Sequence, residues 1–272
     1  MKPIIGLIYD FDHTLSFDDM QNFSLIPNLG MTSESFWNEA DELTEKENME
    51  KILSYMYLMV KLCKEKGIKL TKEYLNNMGK DLRFFEGVTT WFKRINQYGE
   101  SKGVAVEHYL LTSGNKEIVD GSSIAKEFKA IYGCEYLYDE TGEACWPKMA
   151  INYTSKTQYL FRISKGTFDL VDDSSVNKRI SDKHIPFTNM VYIGDGLTDV
   201  PCMVLVKEKG GRAIAIHSKG DKAKAISLVD DGRVNYVCSA DYKQNSNLEK
   251  VIKLIIDSIA VSYELSKKEP KL

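Results

Sequence analysis

The sequence predicts an α/β fold built around a parallel sheet, on three observations. Short aliphatic, β-prone runs recur along the chain, stretches of helical periodicity mostly separate them, and two of the runs end in clusters of aspartate. The runs are Ile4 to Tyr9, Val106 to Leu111, Met190 to Ile193, Ala213 to Ile216 and Val234 to Cys238. The first, Ile4-Ile5-Gly6-Leu7-Ile8-Tyr9, has no polar alternation and reads as a strand buried on both faces. In an open parallel sheet the ligand crevice lies beyond the carboxyl ends of the strands. Asp10-Phe11-Asp12 and Gly194-Asp195-Gly196-Leu197-Thr198-Asp199 should therefore meet there. Converging carboxylates repel one another unless a cation compensates, and all-oxygen ligation suits a hard ion such as Mg2+.

Between the first two strands, from about Phe17 to Arg83, the chain has few β-branched pairs and places Ile52, Tyr55, Met56, Met59 and Val60 at helical spacing. One crossover helix would join parallel strands, so this longer stretch is expected to be a separate helical unit, residues 17–83, inserted into a core made of residues 1–16 and 84–272. Its Phe36, Trp37, Tyr55 and Met59 are expected in a hydrophobic interior. Phe84 to Val88 returns the chain to the core, and a helix from Thr89 to Tyr98 precedes the second strand. Within residues 133–153, Glu135 to Tyr138, then Asp139-Glu140-Thr141-Gly142, then Ala144 to Trp146 reads as a β-hairpin. Its apolar residues either cover the core or stand beside the active-site mouth. The polar stretch Gly166 to Pro186 reads as a surface excursion.

These residues carry a family resemblance. Asp10-x-Asp12-x-Thr14-Leu15 after a hydrophobic strand resembles motif I of the haloacid dehalogenase-like (HAD) hydrolases, and Leu110-Leu111-Thr112-Ser113-Gly114-Asn115 resembles motif II. Gly194 to Asp199 is similar to motif IV, and the motifs stand in the family's order. The resemblance implies a Rossmann-like three-layer core, a helical cap near the phosphoserine-phosphatase-like branch, and Mg2+-dependent hydrolysis of a small phosphorylated metabolite. Asp10 would be the nucleophile, since a carboxylate is ionised at neutral pH without a base, and Asp12 the acid and then the base. Ser113, Gly114 and Thr14 would bind the phosphoryl group; alternatively Ser113 merely caps the following helix. Asp10, Asp195, the backbone carbonyl of Asp12 and, more weakly, Asp199 would hold the metal, and Asp199 could instead hold the cationic residue. An acid at position 12 disfavours true dehalogenases and P-type ATPases. A phosphotransferase or phosphomutase would keep the same residues, and a phosphate-binding regulatory protein without turnover would lose Asp10 or Asp12.

The motif III cation is sought among three lysines. Lys156 sits in the first turn of Thr154-Ser155-Lys156-Thr157-Gln158-Tyr159-Leu160-Phe161, where a helix dipole disfavours a cation, so a functional reason would offset that cost. It is preferred over Lys148 and Lys165. His13, His108, His184 and His217 show no paired spacing, and a structural or substrate-facing role is expected for His13.

With 43% hydrophobic and 28% charged residues in 272, the chain is ordinary globular material, and its net charge of -3 offers no electrostatic footprint for nucleic acid. The short basic tail from Lys267 to Lys271 reads as a solvated end. The five cysteines form no CxxC pair, which predicts neither disulfide framework nor zinc site and fits the cytoplasm. No apolar run approaches the ~20 residues of a membrane span, and the early first strand leaves no room for a signal peptide.

Overall fold

The computed structural model describes residues 2–179, 183–218, 220 and 222–269. Residues 180–182 of the polar excursion and 270–271 of the basic tail lie outside the described residues. β1 (Ile4–Tyr9), β2 (Ala105–Asn115), β3 (Ala130–Tyr138), β4 (Ala144–Met149), β5 (Met190–Gly194), β6 (Arg212–His217) and β7 (Tyr236–Ser239) form one seven-stranded sheet in the order β4-β3-β2-β1-β5-β6-β7. All pairs are parallel except β3 with β4. The α/β expectation is borne out. β1 is central, and the strand order reverses around it, which opens a crevice at the carboxyl ends of β1, β2 and β5.

Two strand readings need correction. β3 is one continuous strand: Ala130 to Tyr132 pair in parallel with β2, and Glu135 to Tyr138 pair antiparallel with β4. The hairpin therefore extends the main sheet rather than interrupting it. β7 begins at Tyr236, not Val234, because Asn235 exchanges bonds with Ala213 partly through its side chain, its Oδ1 accepting the Ala213 N–H at 2.8 Å.

Along the chain, residues 17–83 form five helices and no strand: α1 (Met20–Phe23), α2 (Leu25–Asn28), α3 (Ser33–Glu47), α4 (Lys51–Glu65) and α5 (Lys72–Met78). Thr32 and Ser35 cap α3 reciprocally, Asn48 ends it in the left-handed region, and the Glu50 carboxylate accepts the first amides of α4. Ile52, Tyr55, Met56 and Met59 turn one face of α4 inward. The hairpin buttresses this helix, since the Tyr136 hydroxyl donates to the Met56 carbonyl at 2.8 Å and the Ala144 N–H to the Leu70 carbonyl. Tyr136 is buried there while Leu137 and Trp146 face outward. The remaining helices are α6 (Val88–Ser101), α7 (Lys116–Asp120), α8 (Lys156–Lys165), α9 (Asp173–Asn177), α10 (Val200–Glu208), α11 (Lys222–Asp230) and α12 (Asn247–Ser266).

Strand alternation sorts β1 between two helical layers. Tyr9 faces α6, where its hydroxyl accepts from the Trp91 indole at 2.9 Å and donates to His108 Nδ1 at 3.0 Å. His108 Nε2 then donates to Asn96 Oδ1, and burial pushes this imidazole down to about 3, so His108 is a neutral core group. The next residue, Asp10, faces the opposite layer, where α8 and α10 pack together.

Candidate active site

Asp10, Asp12, Ser113, Gly114, Lys156 and Asp195 all line one cavity of about 370 Å3 at the carboxyl end of the sheet. Asp199 is fully buried directly behind it. Lys156 is the first residue of α8 and only 1% exposed; its Nζ lies 2.9 Å from Asp10 Oδ1 and 2.8 Å from Asp199 Oδ1. Burial works against the ammonium, but attraction from Asp10 and Asp199 outweighs it and raises its pKa beyond the lysine range. The other two lysines stand elsewhere: Lys148 is exposed and pairs with Glu135, and Lys165, at the far end of α8, donates to the carbonyls of Val176 and Lys178. Ser155 does not cap the helix through its side chain, which bonds to Asn152 instead.

The carboxylates are poised by burial. Asp10 rises to about 7, mainly through desolvation and then repulsion from Asp199, against the pull of Lys156. Asp195 rises to about 6 for the same first two reasons. Asp12 rises well above its ordinary value through desolvation and the neighbouring Asp19 and Asp10, although the Met20 N–H donates to its Oδ1 at 2.8 Å. Burial and the neighbouring carboxylates thus favour the protonated form of Asp12, while Asp10 is close to its ionisation point.

Carboxylate oxygens converge here. Asp10, Asp195 and Asp199 each offer a carboxylate oxygen within 4.8 Å of the other two, and Asp199 Oδ2 is buried with no hydrogen-bond partner among the described residues. Tyr192 and Lys156 occupy Oδ1. Three hard anionic donors with no thiolate or imidazole among them, facing one ammonium, fit a hard divalent cation. Gly194 matters for this approach, because a Cβ there would overlap the Asp199 carboxylate. Gly196, by contrast, is extended and its missing Cβ meets only ordinary contacts, so it is not required for a tight turn.

Ser113 Oγ is buried and also lacks a partner, so it does not cap the following helix; Asn115 precedes α7 and makes no side-chain cap. The Gly114 amide is taken by Thr112 Oγ1 and the Asn115 amide by Met20 Sδ, so these N–H groups are not free for an anion. Gly114 instead permits close packing of Met20 and of the Asp12 carboxylate. Thr14 departs from its expected place. It is fully buried outside the cavity lining, its carbonyl accepts from the Tyr242 hydroxyl at 2.9 Å, and its Oγ1 has no partner among the described residues.

Phe36, Tyr55 and Met59 are buried as expected and Trp37 is half-buried against them, and Trp37 and Tyr55 also line the cavity. Tyr55 also ties the helical segment to β2, donating to the Ser113 carbonyl at 2.7 Å. No local signal marks them, since inward spacing on a helix looks the same whether it meets a core or a cavity. Tyr192 was legible in principle, because it pairs with Ile8 and so shares the face of Asp10. His13, in the left-handed region, reaches Asp19 at 3.4 Å; that contact raises its pKa to about 9 at the cavity wall.

No protein-family model matches the chain. An uncharacterized protein of Borreliella burgdorferi is 30% identical over 275 residues, covering 91% of this chain and 94% of that one, and the two belong to one family. Among solved structures, a HAD family hydrolase from Salmonella enterica serovar Typhi superposes with a TM-score of 0.59 at 16% identity, over 93% of this chain and 72% of that one. A phosphoserine phosphatase bearing a phospho-aspartyl intermediate analogue gives 0.56 at 15%, over 93% and 99%. A cytosolic 5'-nucleotidase IIIB bound to cytidine gives 0.51 at 12%, over 96% and 87%.

Proposed function

Starting from a chain with the fold of the HAD-like hydrolases, phosphoserine phosphatases among them, we propose a Mg2+-dependent phosphatase that hydrolyses a small phosphomonoester through an aspartyl phosphate on Asp10. The observation that carries this reading is the meeting of Asp10, Asp12, Lys156 and the Ser113 Oγ, unpartnered among the described residues, at one cavity. Residues 17–83 serve as the cap that supplies much of the alcohol-side wall, through Trp37 and Tyr55.

In the first half-reaction an Asp10 oxygen attacks phosphorus while Asp12 gives its proton to the departing alkoxide. Lys156 balances the charge of Asp10 and of the phosphoryl oxygens, and Ser113 donates to one of them. In the second half, Asp12 takes a proton from water, which attacks the acyl phosphate and frees Asp10. Mg2+, held by Asp10, Asp195 and Asp199 and by the Asp12 carbonyl, would neutralise the phosphoryl group and keep Asp10 ionised. The same residues would serve a phosphotransferase; product analysis with an added alcohol acceptor separates the two. The cysteines, all unpaired, fit a cytoplasmic setting. Among the described residues no helix is long and apolar enough to cross a membrane.

Hydrolysis of p-nitrophenyl phosphate should stop on EDTA treatment and return with Mg2+; unchanged turnover by thoroughly metal-stripped protein would remove the metal from the mechanism. The Mg2+-induced rise in melting temperature should be largest near pH 8 and shrink as pH falls through 7 and then 6. The sign follows from the raised values. Between the ordinary carboxylate range and about 7 the folded metal-free protein binds more protons than the unfolded chain, so Asp10 and Asp195 stabilise it less as pH rises, and protons compete with the cation as pH falls. A pH-independent Mg2+ effect would count against these ligands.

Asp12→Asn should cost alkyl phosphates far more than activated aryl phosphates, since only poor leaving groups need a proton. We expect roughly 10²–10⁴-fold for the former, the usual worth of general acid catalysis. Equal losses on both classes would leave Asp12 a structural residue.

A further inference from the structure

The long carboxyl-terminal helix α12 has two apolar faces. Leu248, Ile252, Ile255, Ile256 and Ile259 are buried in the core. Val251, Leu254, Ser258, Val261 and Leu265 form a second stripe at alternating spacings of three and four residues, the repeat of a coiled-coil seam. Three of its apolar members face solvent, Leu254 68% exposed, Val261 60% and Leu265 63%, while Val251 is half-buried against the core and the polar Ser258 stands between them. Single exposed leucines are ordinary. An aligned row over two heptads is not, and beside it runs a groove of about 150 Å3 with an apolar wall of Val251, Leu254, Ile255 and Ile259 faced by Tyr236 and by the polar Arg212 and Thr188.

We propose that α12 pairs antiparallel with α12 of a second copy of this chain across a two-fold axis, with the partner's Leu254 entering the groove. Charge selects both the occupant and the direction. The residue preceding each seam position 251, 258 and 265 is Lys250, Asp257 and Glu264, so this flank runs from basic to acidic along the helix. Antiparallel pairing sets this flank against its own reversed copy and brings Lys250 of one chain to Glu264 of the other, twice. Parallel pairing would set Lys250 against Ile255 and Asp257 against Ser262, with no complementary charge. Asp257 falls near the axis, but the Tyr98 hydroxyl at 2.9 Å and Lys102 at 3.1 Å already hold its carboxylate toward α6. Among the described residues Glu264 pairs with Lys267, both well exposed, a contact worth little and easily exchanged.

Sedimentation velocity of the full chain at about 20 μM should give a species of twice 31.0 kDa. Leu254→Glu and Val261→Glu should each raise the dimer dissociation constant by about 100-fold or more, near 3 kcal/mol, while circular dichroism melts and p-nitrophenyl phosphate turnover stay unchanged. Lys250→Glu and Glu264→Lys should each weaken the dimer by about 5-fold, and the double variant should recover wild-type affinity, about 1 kcal/mol per single change. A monomeric wild type, or a dimer indifferent to Leu254→Glu, overturns the proposal. Loss of the dimer in Leu254→Glu without recovery in the charge-swapped double variant overturns the antiparallel arrangement.

Discussion

Asp10→Asn should leave the protein folded and reduce phosphatase turnover by at least about 10³-fold, or roughly 4 kcal/mol of transition-state stabilisation. The replacement is nearly isosteric, so the backbone bond from the Asp10 N–H to the Ile193 carbonyl at 2.9 Å and the packing at the end of β1 survive. The attacking oxygen and one oxygen ligand of the cation are lost together. Because burial and Asp199 raise the Asp10 carboxyl to about 7, the metal-free wild type at pH 8 holds a dehydrated anion beside Asp199 that the single Lys156 ammonium only partly offsets and that the variant lacks. The metal-free variant should therefore melt no lower than the metal-free wild type at that pH, and its Mg2+-induced stabilisation should be smaller. Near wild-type turnover in freshly purified Asp10→Asn, with deamidation excluded by mass spectrometry, would overturn the covalent mechanism.

Lys156→Ala should also depress turnover severely, by roughly 10²–10³-fold, because the phosphoryl group loses a fixed cation in a partly dehydrated crevice. Binding of a phosphate-mimicking fluoride complex should weaken in parallel. The position of this lysine at the start of a helix by itself suggests that removing it leaves stability unchanged or slightly improved. Its surroundings reverse that expectation. The ammonium is buried between Asp10 and Asp199 at 2.9 and 2.8 Å, and removing one partner of such a cluster leaves unpaired buried charge. Metal-free Lys156→Ala should be less stable than wild type by about 3–5 kcal/mol, with saturating Mg2+ restoring part of the loss. Lys148→Ala and Lys165→Ala should be mild in turnover, since the first removes an exposed ion pair and the second a contact at the far end of α8. Severe loss at either one, with an active Lys156→Ala protein, would move the cationic role away from Lys156 while leaving the phosphatase reading in place.

Local pattern was enough for the strands whose partners do not matter to their identity. Ile4–Tyr9 and Met190–Gly194 are apolar on both faces, so burial alone makes them central strands and carries Asp10 and Asp195 to the same sheet end. The ordered aspartate, serine and glycine motifs are likewise visible along the chain, because their chemistry depends on residue type at short spacing. β3 was not legible as a sheet strand, since its two halves pair with different neighbours in opposite directions and no local property encodes a partner. Tyr55 lies in the interior as its spacing implies, but that spacing could not show that Trp37 and Tyr55 also border a cavity: helical periodicity says which residues turn inward, not what lies there. Thr14 shows the converse limit, as adjacency to Asp12 did not carry its side chain into the cavity once the loop turned at His13. The sequence by itself determined the sheet's central strands and the residue types available for catalysis. Tertiary structure alone decided which of them are dehydrated together, and hence that Asp12 is pushed toward its protonated form, Asp10 stands near its ionisation point and Lys156 is buried between two carboxylates, because desolvation and Coulomb forces depend on distances between residues far apart in the chain.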